Sequence, residues 1–249
     1  DKDSIGANVR LGYPLIDYSR ILLTYTYDIA NIKNVDDDAA NSIKDNEGEN
    51  TKSSITTLLK YDSRDDGFHP TEGSFHTGSH EFAGLGGTVG FNKIVLETGW
   101  YFPLIWKFVG VLHGKAGYVK ELEGMNLPDY EKFYMGGTDA LRGFERDDVA
   151  PRDDNGDIVG ADKFLVGNVE VRFPLFEQAG LYGGVFVDTG ESWGKDEDPD
   201  PGNLRESAGF TFRWRSPMGP IILGYGWILD PQPTDEASGG WVFSMASSF

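Results

Sequence analysis

A two-residue alternation of apolar and polar side chains runs through most of this chain and limits its fold more than any other feature. The clearest example is residues 204–217, LRESAGFTFRWRSP. There Leu204, Ala208, Phe210, Phe212 and Trp214 alternate with Arg205, Ser207, Thr211, Arg213 and Arg215. Because successive side chains of a β-strand point to opposite faces, the pattern predicts a strand with one apolar and one polar face. A soluble sandwich would not direct three arginines of one strand into its core, whereas a barrel with a wet lumen and a lipid-facing exterior accommodates both faces.

Other segments repeat the pattern. Residues 18–29 (YSRILLTYTYDI) and 91–102 (FNKIVLETGWYF) each place aliphatic and aromatic side chains on one face and charged or hydroxyl side chains on the other. No segment shows a convincing amphipathic helical period, and none approaches the ~20 consecutive apolar residues of a membrane helix. The sequence therefore predicts an all-β chain.

Eleven segments fit this description. They are residues 5–15, 18–32, 53–64, 73–84, 90–104, 106–121, 163–175, 180–193, 204–216, 219–230 and 240–249. Most match or exceed the ~9–11 residues that a tilted strand needs to cross a bilayer. We therefore predict an antiparallel transmembrane β-barrel. Because single-chain bacterial barrels have an even number of strands, either a twelfth strand is hidden in the sequence or further chain precedes Asp1, and we favour the second.

The connections between these segments fall into two classes, and composition supports the same fold. One class is short and rich in proline; the other includes the acidic stretches 34–50, 145–157 and 188–203, which predict long solvated loops. Short turns on one side and long loops on the other are typical of outer-membrane barrels.

Glycine is abundant, aromatic residues make up 13% of the chain, and cysteine is absent. The net charge of −18 excludes nucleic acid as a plausible partner, because phosphate binding needs a basic face.

One loop motif points to a family. Residues 133–151, FYMGGTDALRGFERDDVAP, closely resemble the conserved loop of BamA-type outer-membrane assembly proteins, a group that includes the mitochondrial SAM and chloroplast TOC barrel proteins. The family signature is an aromatic-rich FY-x-GG followed by (V/L)RGF. Its matching positions here are Gly136, Gly137, Leu141, Arg142, Gly143 and Phe144. Further matches follow in the family's order: YDSRDDGFHPTEGS (61–74), NVEVRFPL (168–175), VFVDTGESW (185–193) and residues 204–227.

The resemblance covers nearly the whole chain and has several implications. It implies a sixteen-stranded barrel preceded by POTRA domains, so that residues 1–249 would be the C-terminal part of an outer-membrane barrel domain, without POTRA domains and about five N-terminal strands. It implies a place in the bacterial outer membrane and a function in folding and inserting client β-barrel proteins. The implied partners are the lipid bilayer, unfolded outer-membrane clients and, through POTRA domains, periplasmic chaperones and lipoprotein subunits. It implies no cofactor and no enzymatic activity.

The resemblance also implies contacts for the loop. The long loop 122–162 would fold into the lumen, and Arg142 would reach Glu170 and Asp188, pinning the loop rather than performing catalysis. Strand parity independently places Glu170 on the polar face, opposite Val169 and Val171, whereas it is less decisive for Asp188. A guanidinium stays charged and offers five donors in a plane, so it can bridge two carboxylates. Gly143 would permit close backbone approach, and Phe144 would wedge the loop among lumen side chains.

The last segment carries Trp241, Phe243 and Phe249 in alternation, which resembles the sorting signal of outer-membrane strands, although Ser247 replaces the expected hydrophobic residue.

We expect no metal site, since neither the acidic stretch 153–157 nor the pair His76 and His80 forms a complete ligand pattern. A secretion pore of the same superfamily, a passive porin and an outer-membrane enzyme remain as alternatives, the last disfavoured because no Ser–His constellation is visible.

Overall fold

The computed structural model describes residues 2–35, 44, 46–137, 140–145, 147–153, 155–233, 235 and 237–245, and these form one antiparallel sheet of eleven strands. The strands are β1 (Lys2–Pro14), β2 (Ser19–Ile32), β3 (Gly48–Asp62), β4 (Gly73–Gly87), β5 (Phe91–Pro103), β6 (Val109–Glu121), β7 (Lys163–Phe176), β8 (Leu181–Trp193), β9 (Arg205–Ser216), β10 (Gly219–Ile228) and β11 (Gly239–Met245). Each strand pairs with its neighbours in sequence. The predicted all-β barrel fold with eleven visible strands is confirmed.

Short 3₁₀ helices interrupt three connections within the described residues, at Ile105–Lys107, Asp129–Glu131 and Glu177–Ala179. No helix in this part of the chain has the length and apolar character to cross a membrane.

The predicted strand bounds agree with the observed ones to within a few residues, and the largest difference is at the start of β3. That strand begins at Gly48 rather than at residue 53, because Gly48, Glu49 and Asn50 continue the backbone pairing with β2. Ladder hydrogen bonds depend on the backbone, so a strand can extend beyond the segment in which side chains alternate. The acidic loop predicted at 34–50 is correspondingly shorter.

The sheet is apolar outside and polar inside. In β8, Val185 and Val187 are half exposed, at 51% and 50%, whereas Phe186 is 3% and Asp188 0% exposed. Since these residues alternate along one strand, one face of the sheet presents aliphatic side chains outward and the other encloses polar side chains. This is the arrangement expected of a barrel whose outer surface meets lipid.

The connections lie on two sides of the sheet. One side carries 15–18, 63–72, 104–108, 177–180 and 217–218, here called the short-turn side; the other carries 33–47, 88–90, 122–162, 194–204 and 229–238, here called the long-loop side. Two connections depart from this division. Residues 88–90 form a tight turn among the long loops, and residues 63–72 form a ten-residue connection among the short turns. The second departure matters, because that turn folds inward.

The first and last strands form the edges of the described sheet. Every residue of β1 is exposed, and in the part of the chain that the structure describes β1 pairs only with β2 and β11 only with β10. β11 ends at Met245, so Phe249 lies outside the described residues.

Candidate functional site

The long loop 122–162 supplies much of the buried apolar core of the molecule. Its residues Met135, Leu141, Phe144 and Val149 cluster with strand residues Phe164, Val166 and Ile228. Leu141 is completely buried and Phe144 is 4% exposed. Since the side chains from the strands belong to the inward face of the sheet, the loop lies inside the enclosure formed by the strands.

Arg142 lies between two carboxylates on neighbouring strands. Its Nε and Nη2 atoms donate to Oδ2 and Oδ1 of Asp188 at 2.8 and 2.6 Å, which is a bidentate ion pair, and its backbone N–H donates to Oδ2 at 3.0 Å. Its Nη1 donates to Oε2 of Glu170 at 3.3 Å. Arg142 is only 8% exposed, so the guanidinium is buried with its partners. The structure thus brings together the three charged residues that the motif had suggested.

Glu170 is the centre of a larger cluster than the sequence indicated. Its Oε2 accepts hydrogen bonds from Arg142, from Arg172 at 3.2 Å and from Arg213 at 3.3 Å, and its Oε1 accepts one from the Thr211 hydroxyl at 2.9 Å. Glu170 is 4% exposed. Buried charges are tolerated only when they are paired and hydrogen-bonded. Removal of one partner would therefore leave the others as uncompensated charges in the protein interior, which is destabilising.

Phe186 forms a platform beneath Arg142. The guanidinium carbon lies 3.6 Å from the centroid of the Phe186 ring, within the range of a cation–π interaction. Sequence reasoning did not assign this residue to the site. The signal that could have found it is its parity with Asp188, because residues two apart on one strand lie on the same face and Phe186 is therefore inward-facing with Asp188.

Gly143 lies directly on a row of glycines in the wall. Gly209 of β9 pairs with Gly226 of β10, which pairs with Gly240 of β11, so the three form a row across adjacent strands. A Cβ on Gly143 would lie 2.8 Å from the Gly226 backbone, and a Cβ on Gly226 would lie 2.6 Å from the Arg142 carbonyl oxygen. Gly143 also has φ +99°, which favours glycine. The backbone contact therefore requires glycine on both surfaces.

Phe144 packs beneath a second buried arginine at the long-loop side. The Arg205 guanidinium carbon lies 4.8 Å from the Phe144 ring centroid. Arg205 in turn donates to Asp230 at 3.0 Å and to Asp235 at 2.7 Å, both in the loop 229–238. The motif phenylalanine is therefore held by a neighbouring loop as well as by the apolar core.

Gly136 and Gly137 shape the turn that carries the motif. They have φ values of +138° and +78°, respectively, which residues with a Cβ rarely adopt. The Gly137 N–H donates to the Phe144 carbonyl at 3.2 Å, and the Ala140 N–H donates to the Gly137 carbonyl. These bonds close the segment on itself, so that Leu141 and Arg142 project from a fixed backbone.

The loop has a second attachment that the sequence did not suggest. Lys52 of β3 donates to Glu131 at 2.6 Å and forms an ion pair with Glu81 of β4 at 3.5 Å, while Lys93 of β5 donates to the Glu131 carbonyl at 2.6 Å. Lys52 and Glu131 are 79 residues apart, so no local pattern could pair them. The loop is therefore attached to β3 and β5 through Glu131 and to β7 and β8 through Arg142.

The inward-folded turn 63–72 reaches the far wall from the short-turn side. Asp66 accepts hydrogen bonds from Arg215 of β9 at 2.7 and 2.8 Å, and the His69 ring stacks on Tyr182 of β8 with centroids 3.6 Å apart. Burial acts to raise the pKa of Asp66, but hydrogen bonds from the His69 N–H, Arg215 and the Phe68 N–H lower it to about 2.

The same turn carries His69, whose imidazole feels the charges of Arg172 and Arg213. It is 8% exposed, and its Nδ1 atom is buried without a hydrogen-bond partner among the described residues. Burial and the nearby charges of Arg172 and Arg213 lower the pKa of His69 to about 4. The motif 61–74 therefore does more than connect two strands, since it brings a neutral imidazole against the cluster.

The residues assigned to a C-terminal signal lie apart from the loop cluster. Trp241 and Phe243 of β11 are 68% and 63% exposed on the outward face, and the Trp241 ring meets Tyr225 of β10 edge-on at 5.2 Å. The structure does not bring either residue to the lumen site, which is compatible with a separate role.

Comparison with known families agrees with this geometry. The family model of the Omp85 superfamily domain matches residues 1–249. The chain belongs to the Omp85 superfamily. Among curated Omp85-type relatives, it is 34% identical to the outer membrane protein assembly factor BamA of Nitratidesulfovibrio vulgaris, over 100% of this chain and 32% of that protein. It is 27% identical to BamA of Neisseria meningitidis serogroup B, over 74% of this chain and 27% of the relative.

The chain thus spans about a third of the length of these curated Omp85 relatives. Solved structures agree on the fold. BamA from Haemophilus ducreyi lacking POTRA domains 1–3 is similar with a TM-score of 0.85 at 22% identity, over 97% of this chain and 53% of that one. CdiB from Acinetobacter baumannii is similar with a TM-score of 0.61 at 14% identity, over 97% and 41% of the two chains.

Proposed function

We propose that this chain is the membrane-embedded barrel part of an outer-membrane protein assembly factor in a bacterial outer membrane. The observation that carries the proposal is 34% identity to a BamA along the whole chain, combined with the buried contacts of its LRGF motif. Unfolded outer-membrane proteins would be its clients. Periplasmic chaperones and lipoprotein subunits would act through POTRA domains, which are not part of residues 1–249.

Such a barrel would act without covalent chemistry. A strand edge presents unpaired backbone N–H and C=O groups that template the pairing of another strand, and β11 pairs with β10 alone among the described residues. A client strand would add to a sheet edge by β-augmentation and enter the membrane there. The wall must keep its shape while backbone pairing is exchanged, so a rigid interior would favour the process.

In this proposal, the loop 122–162 supplies that rigidity, with Arg142 as its latch. The guanidinium joins the loop to β7 through Glu170 and to β8 through Asp188, and Gly143 sets the loop backbone on β10. Leu141 and Phe144 add buried apolar contacts on either side. All of these contacts are internal, which supports a structural function rather than a catalytic one.

The proposal is tested by comparing Arg142→Ala with Arg152→Ala. Arg152 lies in the same loop, but its side chain is exposed and, among the described residues, donates to the Gly156 carbonyl and not to a carboxylate. We expect Arg142→Ala to reduce the insertion of a client barrel into vesicles and to weaken the resistance of the folded protein to heating in detergent, while Arg152→Ala does neither. Unchanged insertion and heat-modifiability in Arg142→Ala would contradict the latch.

Two further readouts separate this function from its alternatives. Export of a soluble secreted substrate without insertion of client barrels would indicate a secretion pore. Steady, large single-channel conductance without either activity would indicate a passive porin.

A further inference from the structure

The lumen contains a cavity of about 450 Å³ whose wall is unusually cationic. We propose that this cavity binds a small, water-soluble phosphate-class oxyanion. The proposal goes beyond the assembly function and does not depend on it, because it rests only on the charges and unfilled hydrogen bonds of the cavity wall.

The cavity lies between the loop 122–162 and the inward face of the strands. Its charged wall residues are Arg64, Lys115, Arg142, Arg172 and Arg213 against Glu97 and Glu170. Ala140 of the loop and Asn168 of β7 also line it. Its size falls within the range of pockets that hold small ligands, and it would accommodate an oxyanion together with water.

The charges of the wall do not cancel. Asp62 and Asp188 do not line the cavity, but each neutralises one of its wall cations. Asp62 pairs with Arg64 at 2.7 Å, and Asp188 pairs with Arg142. Of the remaining wall residues, Lys115, Arg172 and Arg213 stand against Glu97 and Glu170. His113 of β6 also lines the cavity, and one positive charge is left over even when its imidazole is neutral. The whole chain has a net charge of −18, so the positive charge of this cavity does not follow from the overall composition.

The guanidiniums of Arg172 and Arg213 are also incompletely hydrogen-bonded. Each donates from Nη2 to the same Oε2 atom of Glu170, and the Nε of each has no partner among the described residues. The side chain of Arg172 is 7% and that of Arg213 11% exposed, so water has little access to them. Buried donors without partners are costly, and one carboxylate oxygen is shared by three cations.

An oxyanion would satisfy both deficits. Arginine forks bind phosphate oxygens with short charge-assisted hydrogen bonds, and a divalent anion would more than balance the excess charge. A small adjustment of the Arg172 and Arg213 side chains would turn their unused N–H groups towards the anion. The cavity lies behind the strands, on the face opposite the lipid-exposed side chains, so a soluble anion rather than a lipid headgroup is the fitting ligand.

Binding is tested by titrating the full chain, purified in a zwitterionic detergent at low ionic strength, with inorganic phosphate and measuring the heat released. We expect saturable binding at one site, weakened roughly tenfold or more in Arg172→Gln and Arg213→Gln. The matched control is Arg215→Gln, also in β9, whose side chain lies outside the cavity and pairs with Asp66. Short-chain phosphatidic acid should not compete, whereas competition by it would overturn the assignment to a soluble anion.

A loss of binding in the arginine variants could reflect unfolding, so Lys115→Gln supplies a second test. Lys115 lines the cavity but makes no hydrogen bond to Glu170, and the variant should keep the wild-type resistance to heating in detergent while binding phosphate several-fold more weakly. No saturable binding to the unmodified chain would overturn the proposal. So would equal affinity in the folded Arg172→Gln, Arg213→Gln and Lys115→Gln proteins.

Discussion

At the level of single residues, the contacts around Glu170 show why a buried ion cluster is sensitive to change at its centre. One carboxylate accepts from Arg142, Arg172 and Arg213, and Thr211 occupies its other oxygen. Attraction to the carboxylate offsets the repulsion between three guanidiniums that lie within a few ångströms of it. The central anion therefore contributes more to stability than a pairwise ion pair at the surface would.

Glu170→Gln should therefore destabilise the barrel strongly. The amide keeps the size of the side chain but removes the charge that holds three buried cations together, so we expect a loss of about 3 kcal/mol or more. Urea unfolding in detergent or lipid vesicles, followed by electrophoretic mobility, would measure it. The control is Glu177→Gln in the turn after β7, where the partially exposed pair with Lys107 should change stability by less than about 1 kcal/mol. Similar losses in both variants would contradict the central function of Glu170.

His69 should make stability depend on pH in a defined window. Its pKa is lowered to about 4 in the folded protein from an ordinary value of 6.5, so the unfolded chain takes up a proton first as the pH falls. The contribution of His69 is complete above about pH 6.5 and is lost as the pH falls towards 4. Around the ring lie Arg172, Arg213 and Arg215, which disfavour its protonation, and Asp66, which favours it.

The measurement for His69 is the urea midpoint at pH 7.5 and at pH 5. We expect the wild-type midpoint to fall on acidification and His69→Gln, which cannot titrate, to show a smaller fall. His80→Gln is the control, since that imidazole is exposed and hydrogen-bonds to Asn92. An equal fall in wild type and His69→Gln would show that another group titrates.

At this scale, the sequence indicated some residues of the site and not others. Arg142, Glu170 and Asp188 were suggested together because each lies in a motif of a known family. Strand parity placed Glu170 inside without that help. Arg172 lies two residues from Glu170 on the same face of β7, so parity was sufficient to predict that contact. Arg213 lies on β9, and its meeting with Glu170 depends on the registers of β7 with β8 and of β8 with β9. Parity gives the face of a residue, and only register gives its neighbours on other strands.

At the level of elements, glycines let strands and loop approach one another. Besides the row of Gly209, Gly226 and Gly240, aromatic rings cover glycines on paired strands. The pairs are Phe75 with Gly99, Phe164 with Gly117, Phe173 with Gly183 and Phe186 with Gly209. An aromatic ring that covers a glycine on the next strand shields its backbone and fixes the register. The abundance of glycine therefore reflects packing within the sheet as well as turns.

Gly226→Ala should displace the loop from the wall. The added Cβ would lie 2.6 Å from the Arg142 carbonyl oxygen and 2.9 Å from the Gly143 Cα, both of them backbone atoms that cannot rotate away. We expect increased hydrogen exchange of the loop amides at residues 140–144 and a lower unfolding midpoint. Gly12→Ala in β1 is the control, because its nearest atoms would lie at 3.9 Å, an ordinary contact. Unchanged exchange in Gly226→Ala would show that the loop does not require the glycine row.

The strands were the most predictable elements, and the inward turn was the least. Alternation is local, so eleven strands could be read from the sequence with nearly correct bounds. The connection 63–72 was seen only as a strand–turn–strand motif. Its contact between Asp66 and Arg215 joins residues 149 apart, and a local pattern carries no information about such a pair. The contact between Lys52 and Glu131 was not predicted either, because these residues are 79 positions apart in the sequence.

At the scale of the whole molecule, the loop 122–162 acts as the core around which the sheet is arranged. Its residues 129–131 lie near the first strands, where Lys2 of β1 lies 3.6 Å above the Tyr130 ring and Lys52 of β3 holds Glu131. Its residues 141–144 lie against β7–β10. A barrel too wide to be filled by wall side chains alone needs such an insert, and here the insert joins distant strands. The fold class and the inward folding of the loop were predicted, but its contacts with β1 and β3 were not.

The outward face of the sheet should be in contact with lipid at the middle of its strands. Val187 lies at the centre of β8 and is half exposed, while its neighbours Phe186 and Asp188 are buried against Arg142. In water, a sheet with apolar side chains outside and charged side chains inside would be unfavourable, because its outward aliphatic and aromatic side chains would be hydrated. In a bilayer, it is favourable, and a cation at Val187 would have to enter the hydrocarbon.

Val187→Arg should consequently lower the free energy of unfolding in phosphatidylcholine vesicles by about 2–4 kcal/mol, the cost of arginine near a bilayer midplane. Asn203→Arg, in the exposed loop after β8, adds the same charge outside the membrane and should change stability little. Reversible urea unfolding of both variants would measure the difference. In vesicles of shorter acyl chains, the cost at Val187 should decrease, because a thinner hydrocarbon layer brings the arginine closer to water. If Val187→Arg were as stable as Asn203→Arg in both vesicles, the outward face of β8 would not be in contact with lipid.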